Sequence, residues 1–303
     1  MPKKQYGELE AHIIRIFRQE GSFWFQGSEY RVVCADKPRP HGKGECKTDV
    51  YVQGRALDSG AMLELKISVK SEDTQEFQEN KIKQKRAEEL LGGRWQEIIQ
   101  EAALSRKDKF ERRPLLYASK NHSVKPNSIT LGWKLELANK PRALSALAPL
   151  TDREVRDYVY KGTNQTEEKR DARVGGTVIP GSGVAEYLLV TSIKKIDSTA
   201  DVIAQMRLID EAKLSPIYLI FTANNYRTDV KKADGKRPLA VWIEWDGSSG
   251  RLKHRIHYDQ PLEYTGGGDV AKQARKALDA LGCRNITDID PENDLDDTEI
   301  YQA

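Results

Sequence analysis

The sequence predicts an α/β protein, and three observations carry that prediction. A helix-period run opens the chain, two runs of alternating polarity follow at Lys47–Gln53 and Ala61–Lys70, and an unbroken apolar run stands at Ile217–Phe221. The opening segment, residues 8–20, places Leu9, Ile13, Ile16 and Phe17 on one face, and Gly21 ends it. Glu29–Asp36 reads as a strand through Tyr30, Val32 and Val33, and Lys37–Gly44 as a loop punctuated by Pro38, Pro40, Gly42 and Gly44. The two alternating runs are joined by a short turn region holding Gly54 and Asp58-Ser59-Gly60, which predicts an antiparallel hairpin.

From Glu72 to about Ala103 the pattern turns helical, interrupted at Gly92-Gly93. Further on, Ile129–Leu137 and Val184–Ile193 have strand character, Asp152–Tyr160 reads as a short helix, and Ser198–Leu214 as an amphipathic one through Val202, Ile203, Met206 and Ile209. Ile217–Phe221 is the kind of strand buried on both faces. Leu239–Trp245 and Leu252–Tyr258 extend a β-rich segment, and Asp269–Leu281 is a last helix. A single domain over 1–285 with inserted elements around 104–196 and 222–265, then an acidic tail at 286–303, is the expected organisation.

Hydrophobic residues make up 38% and charged residues 31%, inside the globular range. No run approaches the roughly 18 apolar residues of a membrane helix, and the N-terminus lacks an apolar signal core, so a cytoplasmic protein is expected. Cys34, Cys46 and Cys283 form no CxxC pair, which argues against structural zinc and a disulfide framework. No GxxxxGK[ST] loop is present, so no nucleotide cofactor is expected. Beyond Arg284 the chain has no Lys or Arg but seven acids; subtracting those seven from a net charge of +3 leaves the remainder at +10, a balance suited to a polyanionic partner.

The chemistry concentrates in residues 45–70. Strand alternation puts Asp49 and Tyr51 on one face of the first strand, and Glu64, Lys66, Ser68 and Lys70 on one face of the second. Neighbouring strands would gather Asp49, Glu64 and Lys66. Two carboxylates hold a hard Mg²⁺ ion and leave positions for water and phosphate. The ion acidifies bound water and neutralises charge in phosphodiester cleavage, and an ammonium beside it orients the water or stabilises charge.

Asp49 followed after 14 residues by Glu64-Leu65-Lys66, in a strand–turn–strand setting, resembles the PD-(D/E)xK nuclease superfamily, which includes many type II restriction endonucleases and Holliday-junction resolvases. The resemblance covers about 100 residues and implies a restriction-endonuclease-like core, α-β-β-β-α-β, with a mixed sheet flanked by helices, extended here by a large β-rich insertion and a C-terminal extension. It implies that Asp49 and Glu64 ligate Mg²⁺, that the Leu65 carbonyl assists and that Lys66 helps activate water. The pattern Leu9-Glu10 with Gly21 eleven residues later resembles the Mrr-like version and makes Glu10 the candidate acid on the first helix. Thr48 stands where the motif has proline. Because family members sometimes replace the acid, Ser68-Val69-Lys70 is an alternative ending, but an ionised ligand favours Glu64/Lys66.

Other residues carry weaker signals. Glu45 is either an extra ligand or a solvated loop acid. Lys81, Lys83, Lys85 and Arg86 would track a phosphate backbone or simply line a solvated helix face. Asn224, Asn225 and Arg227, after the buried strand, are candidate base readers against the alternative of turn caps. Gly175-Gly176 and Gly181-Ser182-Gly183 read as turns. The five histidines show no HExxH or HNH-like spacing. The expected function is a Mg²⁺-dependent endonuclease acting on double-stranded DNA, specifically a dimeric type II restriction enzyme of prokaryotic or phage origin. The alternatives are a structure-selective repair or phage nuclease and a non-catalytic DNA-binding protein on a nuclease fold.

Overall fold

A computed structural model describes residues 5–72, 77–80 and 82–302. The chain divides into two compact units where the sequence predicted one domain. The first joins the described residues up to Phe77 with Glu88–Gly93 and Leu150–Pro216; the second joins Gln78–Ala87, Arg94–Pro149 and the chain from Ile217 onward. Each has its own sheet and its own buried apolar set.

In the first unit, helix α1 (Gln5–Glu20) ends as its sequence predicts. Gly21 takes φ +69°, and its amide closes on the Phe17 carbonyl at 3.1 Å. Strands β1 (Ser22–Phe25), β2 (Ser28–Asp36), β3 (Val50–Ala56) and β4 (Met62–Ser71) form an antiparallel meander. The short β1 has no counterpart among the predicted strands; its hairpin turns at Gln26-Gly27, both at positive φ, as a tight two-residue connection requires. Strand β5 (Tyr187–Thr191) lies parallel to β4, helix α2 (Thr199–Gln205) follows, and β6 (Arg207–Leu208) pairs antiparallel with β5. The result is a mixed sheet in the order β1-β2-β3-β4-β5-β6. The predicted helix 198–214 stops early because Met206 turns extended and the chain returns to the sheet as β6.

The core of this unit sets Leu9, Ile13, Ile16 and Phe17 of α1 against Val50, Val52, Leu65, Ile67 and Leu189 of the sheet. Gly54 belongs to this packing: a Cβ there would lie 2.8 Å from the Phe23 ring and 3.0 Å from the Tyr30 Cβ. Gly54→Ala should therefore lower the unfolding free energy by about 2 kcal/mol, the usual cost of one excess methyl in a filled core, read as a lower urea midpoint.

In the second unit, the long strand Ser128–Ala138 pairs antiparallel with Tyr218–Arg227 and with Val241–Asp246, which pairs in turn with Lys253–His257. Leu219, Ile220 and Phe221 are all buried, as the apolar run predicted. Phe110 packs edge-on against Trp133 at 4.7 Å and Phe221 at 5.3 Å. The acidic stretch 286–303 departs from the expected tail. Ile286, Ile289 and Leu295 are buried, Arg251 donates to the carbonyls of Glu292 and Leu295, and Ile300–Tyr301 pairs with Leu116–Tyr117. Its acids sit between apolar anchors that fasten it. Among the described residues no helix is long and apolar enough to cross a membrane.

Candidate active site

Asp49 stands on a bend one residue before β3, and its amide donates to the Ile67 carbonyl at 2.9 Å. Three donors of β4 then converge on its Oδ2: the Val69 amide at 2.8 Å, the Ser68 hydroxyl at 3.3 Å and the Lys70 ammonium at 3.4 Å. Such charge-assisted bonds fix the orientation of a carboxylate. The register explains the meeting. Val50 pairs with Ile67 and Gln53 with Glu64, so the end of β4 that reaches Asp49 is Ser68–Lys70.

This corrects the expected convergence of Asp49 with Glu64 and Lys66. Glu64 lies four residues back along β4 from Ser68, roughly 13 Å at about 3.3 Å per residue. It accepts a hydrogen bond from the fully buried Tyr51 at 2.7 Å. Lys66 pairs with Glu186 at 2.7 Å. Leu65 pairs with Val52 inside the ladder, its side chain in the core. The ending left as the alternative, Ser68-Val69-Lys70, is the one brought to Asp49.

Glu10 reaches the same place from α1. It is 9% exposed, and its carboxyl is held above the ordinary range first by burial and then by the negative charge of Asp49. Lys37, directly after β2, donates from Nζ to Glu10 Oε2. Burial alone would push its ammonium pKa down, but Glu10, Asp49 and Glu45 together raise it above the ordinary value. Glu45 is exposed and enters only through that charge.

The shift of Glu10 makes a stability prediction for the metal-free protein. A carboxyl that is harder to ionise folded than unfolded contributes stability that is full below its unfolded pKa. That contribution is lost as pH rises through the folded one. Glu10→Gln should remove this decline, so wild-type and variant unfolding free energies, measured in chelator from acid to neutral pH, should change relative to each other over that window in favour of the variant.

The segment entering Asp49 is stitched to residues 168–183. Arg39 and Arg173 exchange backbone hydrogen bonds, the His41 amide donates to the Glu168 carbonyl, and the Lys47 and Thr48 amides both donate to the Gly183 carbonyl, at 3.0 and 3.2 Å. Only glycine fits at 183, because a Cβ would stand 1.8 Å from the Lys169 carbonyl oxygen. Lys169 itself forms a buried pair with both oxygens of Glu89, at 2.7 and 2.8 Å. Gly181–Gly183 was expected only to turn the chain. Sequence reasoning does not single out Lys37, Lys169 or Glu89, since those contacts span 27 to 80 residues. The Cys46 thiol, pushed up to about 11 by burial and then by Asp49, is not a thiolate nucleophile.

The candidate DNA contacts fare differently. Lys81 lies outside the described residues. Lys85 is exposed on the helix Gln84–Leu91, while Arg86 is paired with Glu79. Asn224 and Asn225 are 0% and 5% exposed. Asn224 donates to the Gly235 carbonyl, and Asn225 donates to Asp234 and accepts from Thr130. Arg227 is half-buried at the end of its strand. The expected loop is strand, and its two asparagines are turned to internal bonding.

Among the described residues no group of three or more His, Cys, Asp or Glu side chains is gathered. Glu10 nevertheless feels the negative charge of Asp49, a repulsion that a cation would relieve, and two carboxylates suit a hard divalent ion that completes its shell with water. No protein-family model, curated protein or solved structure matches the chain.

Proposed function

We propose that the chain is a Mg²⁺-dependent endonuclease acting on double-stranded DNA, with Asp49, Lys70 and Glu10 as its catalytic groups. The observation that carries this reading is the carboxylate of Asp49 held at the Ser68-Val69-Lys70 end of β4, within electrostatic reach of a second, buried carboxyl, Glu10. The order α1, antiparallel β2-β3-β4, then β5 parallel to β4 supports a restriction-endonuclease-like core. In this assignment Ser68 takes the place of the motif's second acid and Glu10 supplies the missing charge, while Glu64 and Lys66 are structural.

Asp49 and Glu10 would hold the ion. When bound, Mg²⁺ acidifies a coordinated water and offsets charge building on the scissile phosphate. The Val69 amide and the Ser68 hydroxyl keep the Asp49 carboxylate in one orientation, and the Lys70 ammonium, beside that carboxylate, orients the attacking water and stabilises the phosphate charge. A sequence-specific type II enzyme, acting as a homodimer with each copy cutting one strand, is the form the family resemblance favours.

The test is direct. Purified protein with Mg²⁺ should nick or linearise supercoiled plasmid, chelation should stop it, and mapped ends should fall at one recurring sequence. Ends scattered on duplex DNA with selective cutting of branched substrates would assign a structure-selective nuclease. Protein that binds duplex DNA but cuts no duplex, branched or single-stranded substrate would remove the catalytic reading.

A further inference from the structure

The two carboxyls already have cations of their own. In the structure two ammonium groups neutralise two carboxylates: Lys70 is 3.4 Å from Asp49, and Lys37 is hydrogen-bonded to Glu10. The two lysines differ in attachment. Lys70 extends from the C-terminal end of an inner strand, the one that also supplies the Ser68 and Val69 donors. Lys37 follows the last residue of β2, at the start of the loop that leads to Asp49. Its side chain is 44% exposed, against 11% for Glu10.

Lys37 and Glu10 also line one cleft of 580 Å³, between α1 and the end of β2, together with Ile14, Arg15, Arg18 and Asp36. The ammonium therefore has open space to enter when it leaves Glu10, with the carboxylate of Asp36 on its lining. Lys37 feels the charges of Glu10, Asp49 and Glu45 at once, which is the field a divalent ion at this site would experience.

We propose that Lys37 is a built-in competitor of the divalent metal: its ammonium holds Glu10 in the metal-free protein and must swing into the adjoining cleft before Glu10 can ligate the ion. This rests on the assignment of Glu10 and Asp49 as the metal site. In the metal-free protein Lys37 balances the charge of Glu10 as Lys70 balances that of Asp49, and in doing so it weakens metal binding. A ligand that binds only after an internal group has vacated its place loses affinity by the free energy of that displacement.

Calorimetric titration of the metal-free protein with Mg²⁺ alone, and with Mn²⁺ alone, tests this without any activity readout. Lys37→Met should bind either ion about tenfold more tightly or better, since the competing positive charge is gone. Lys37→Arg, which keeps the charge, should bind like wild type. In chelator the thermal midpoint of Lys37→Met should fall below wild type, and added Mg²⁺ should restore more of it. In a Glu10→Gln background the gain should be much smaller, since only the field that Lys37 shares with Asp49 and Glu45 is left to relieve. Lys37→Gln, which keeps a donor to Glu10 without the charge, should show the same tightening if Lys37→Met does not fold without metal. Unchanged or weaker binding by the charge-removing variants, with binding still abolished by Asp49→Asn, overturns the role of Lys37 and leaves the metal site standing. No binding of either ion by wild type or by any Lys37 variant overturns both.

Discussion

Asp49→Asn is expected to reduce Mg²⁺-dependent plasmid cleavage by roughly 10³-fold or more, about 4 kcal/mol of transition-state stabilisation. The amide is nearly isosteric but cannot supply an anionic oxygen. It also loses the charge that draws the Val69 amide, the Ser68 hydroxyl and the Lys70 ammonium to one atom. Lys70→Met should fall in the same range, because its ammonium is the cation nearest that carboxylate in β4. Glu64→Gln should stay within about threefold of wild type, because glutamine still offers an oxygen to the Tyr51 hydroxyl. Lys66→Met, losing a pair with a partner that is 43% exposed, should do likewise. Steady-state cleavage by the four variants separates the two endings of the motif: loss in the Glu64 and Lys66 variants with activity kept in Lys70→Met would reverse the assignment.

Lys169→Met should lower the unfolding free energy by about 3 kcal/mol, a larger loss than that expected of Gly54→Ala. Lys169 and Glu89 have side chains only 11% and 4% exposed, and both carboxylate oxygens accept from the one ammonium. Truncating the cation removes the ion pair from a carboxylate that is almost fully buried. The double variant Glu89→Gln, Lys169→Met should recover much of the loss, since a neutral amide is cheaper to bury than a carboxylate. Urea denaturation of the single and double variants reads the difference. Equal losses in both would mean that packing of the lysine stem, not the charge pair, is what matters.

Much of this architecture is written locally. Leu9, Ile13 and Phe17 announce α1, Gly21 its end, and Ile217–Phe221 a buried strand, because periodicity and termination act within a few residues of each other. The register of β3 on β4 was legible too, but by another rule. A hairpin folded about Asp58 and Ser59 pairs positions equidistant from its centre, and Asp49 stands nine before Asp58 as Ser68 stands nine after Ser59. The preference for an ionised ligand points instead to Glu64, which this pairing sets opposite Gln53. The region after Glu72 misled for a different reason: its charged composition suits a helix, yet Gln78–Glu79 pairs with Leu137–Ala138 and the helix begins only at Gln84. Asn224 and Asn225 look like loop residues because polar side chains usually face water, whereas here Thr130 and Asp234 satisfy Asn225 from inside the unit. The Lys37–Glu10 contact has no local signature, since it depends on the end of β2 arriving beside α1.

The parallel partner of β4 has a consequence for synthesis. Ser71 closes β4 and Tyr187 opens β5, so about 115 residues must leave the ribosome before that edge is covered. At roughly 5–20 residues per second this is an interval of about 6–23 s. Throughout it the nascent meander carries Ile67, Val69 and an uncapped row of main-chain donors and acceptors, the kind of edge on which chains adhere to one another. Refolding of the whole chain should accordingly be slow and sensitive to concentration, whereas a chain emerging vectorially meets that hazard one molecule at a time.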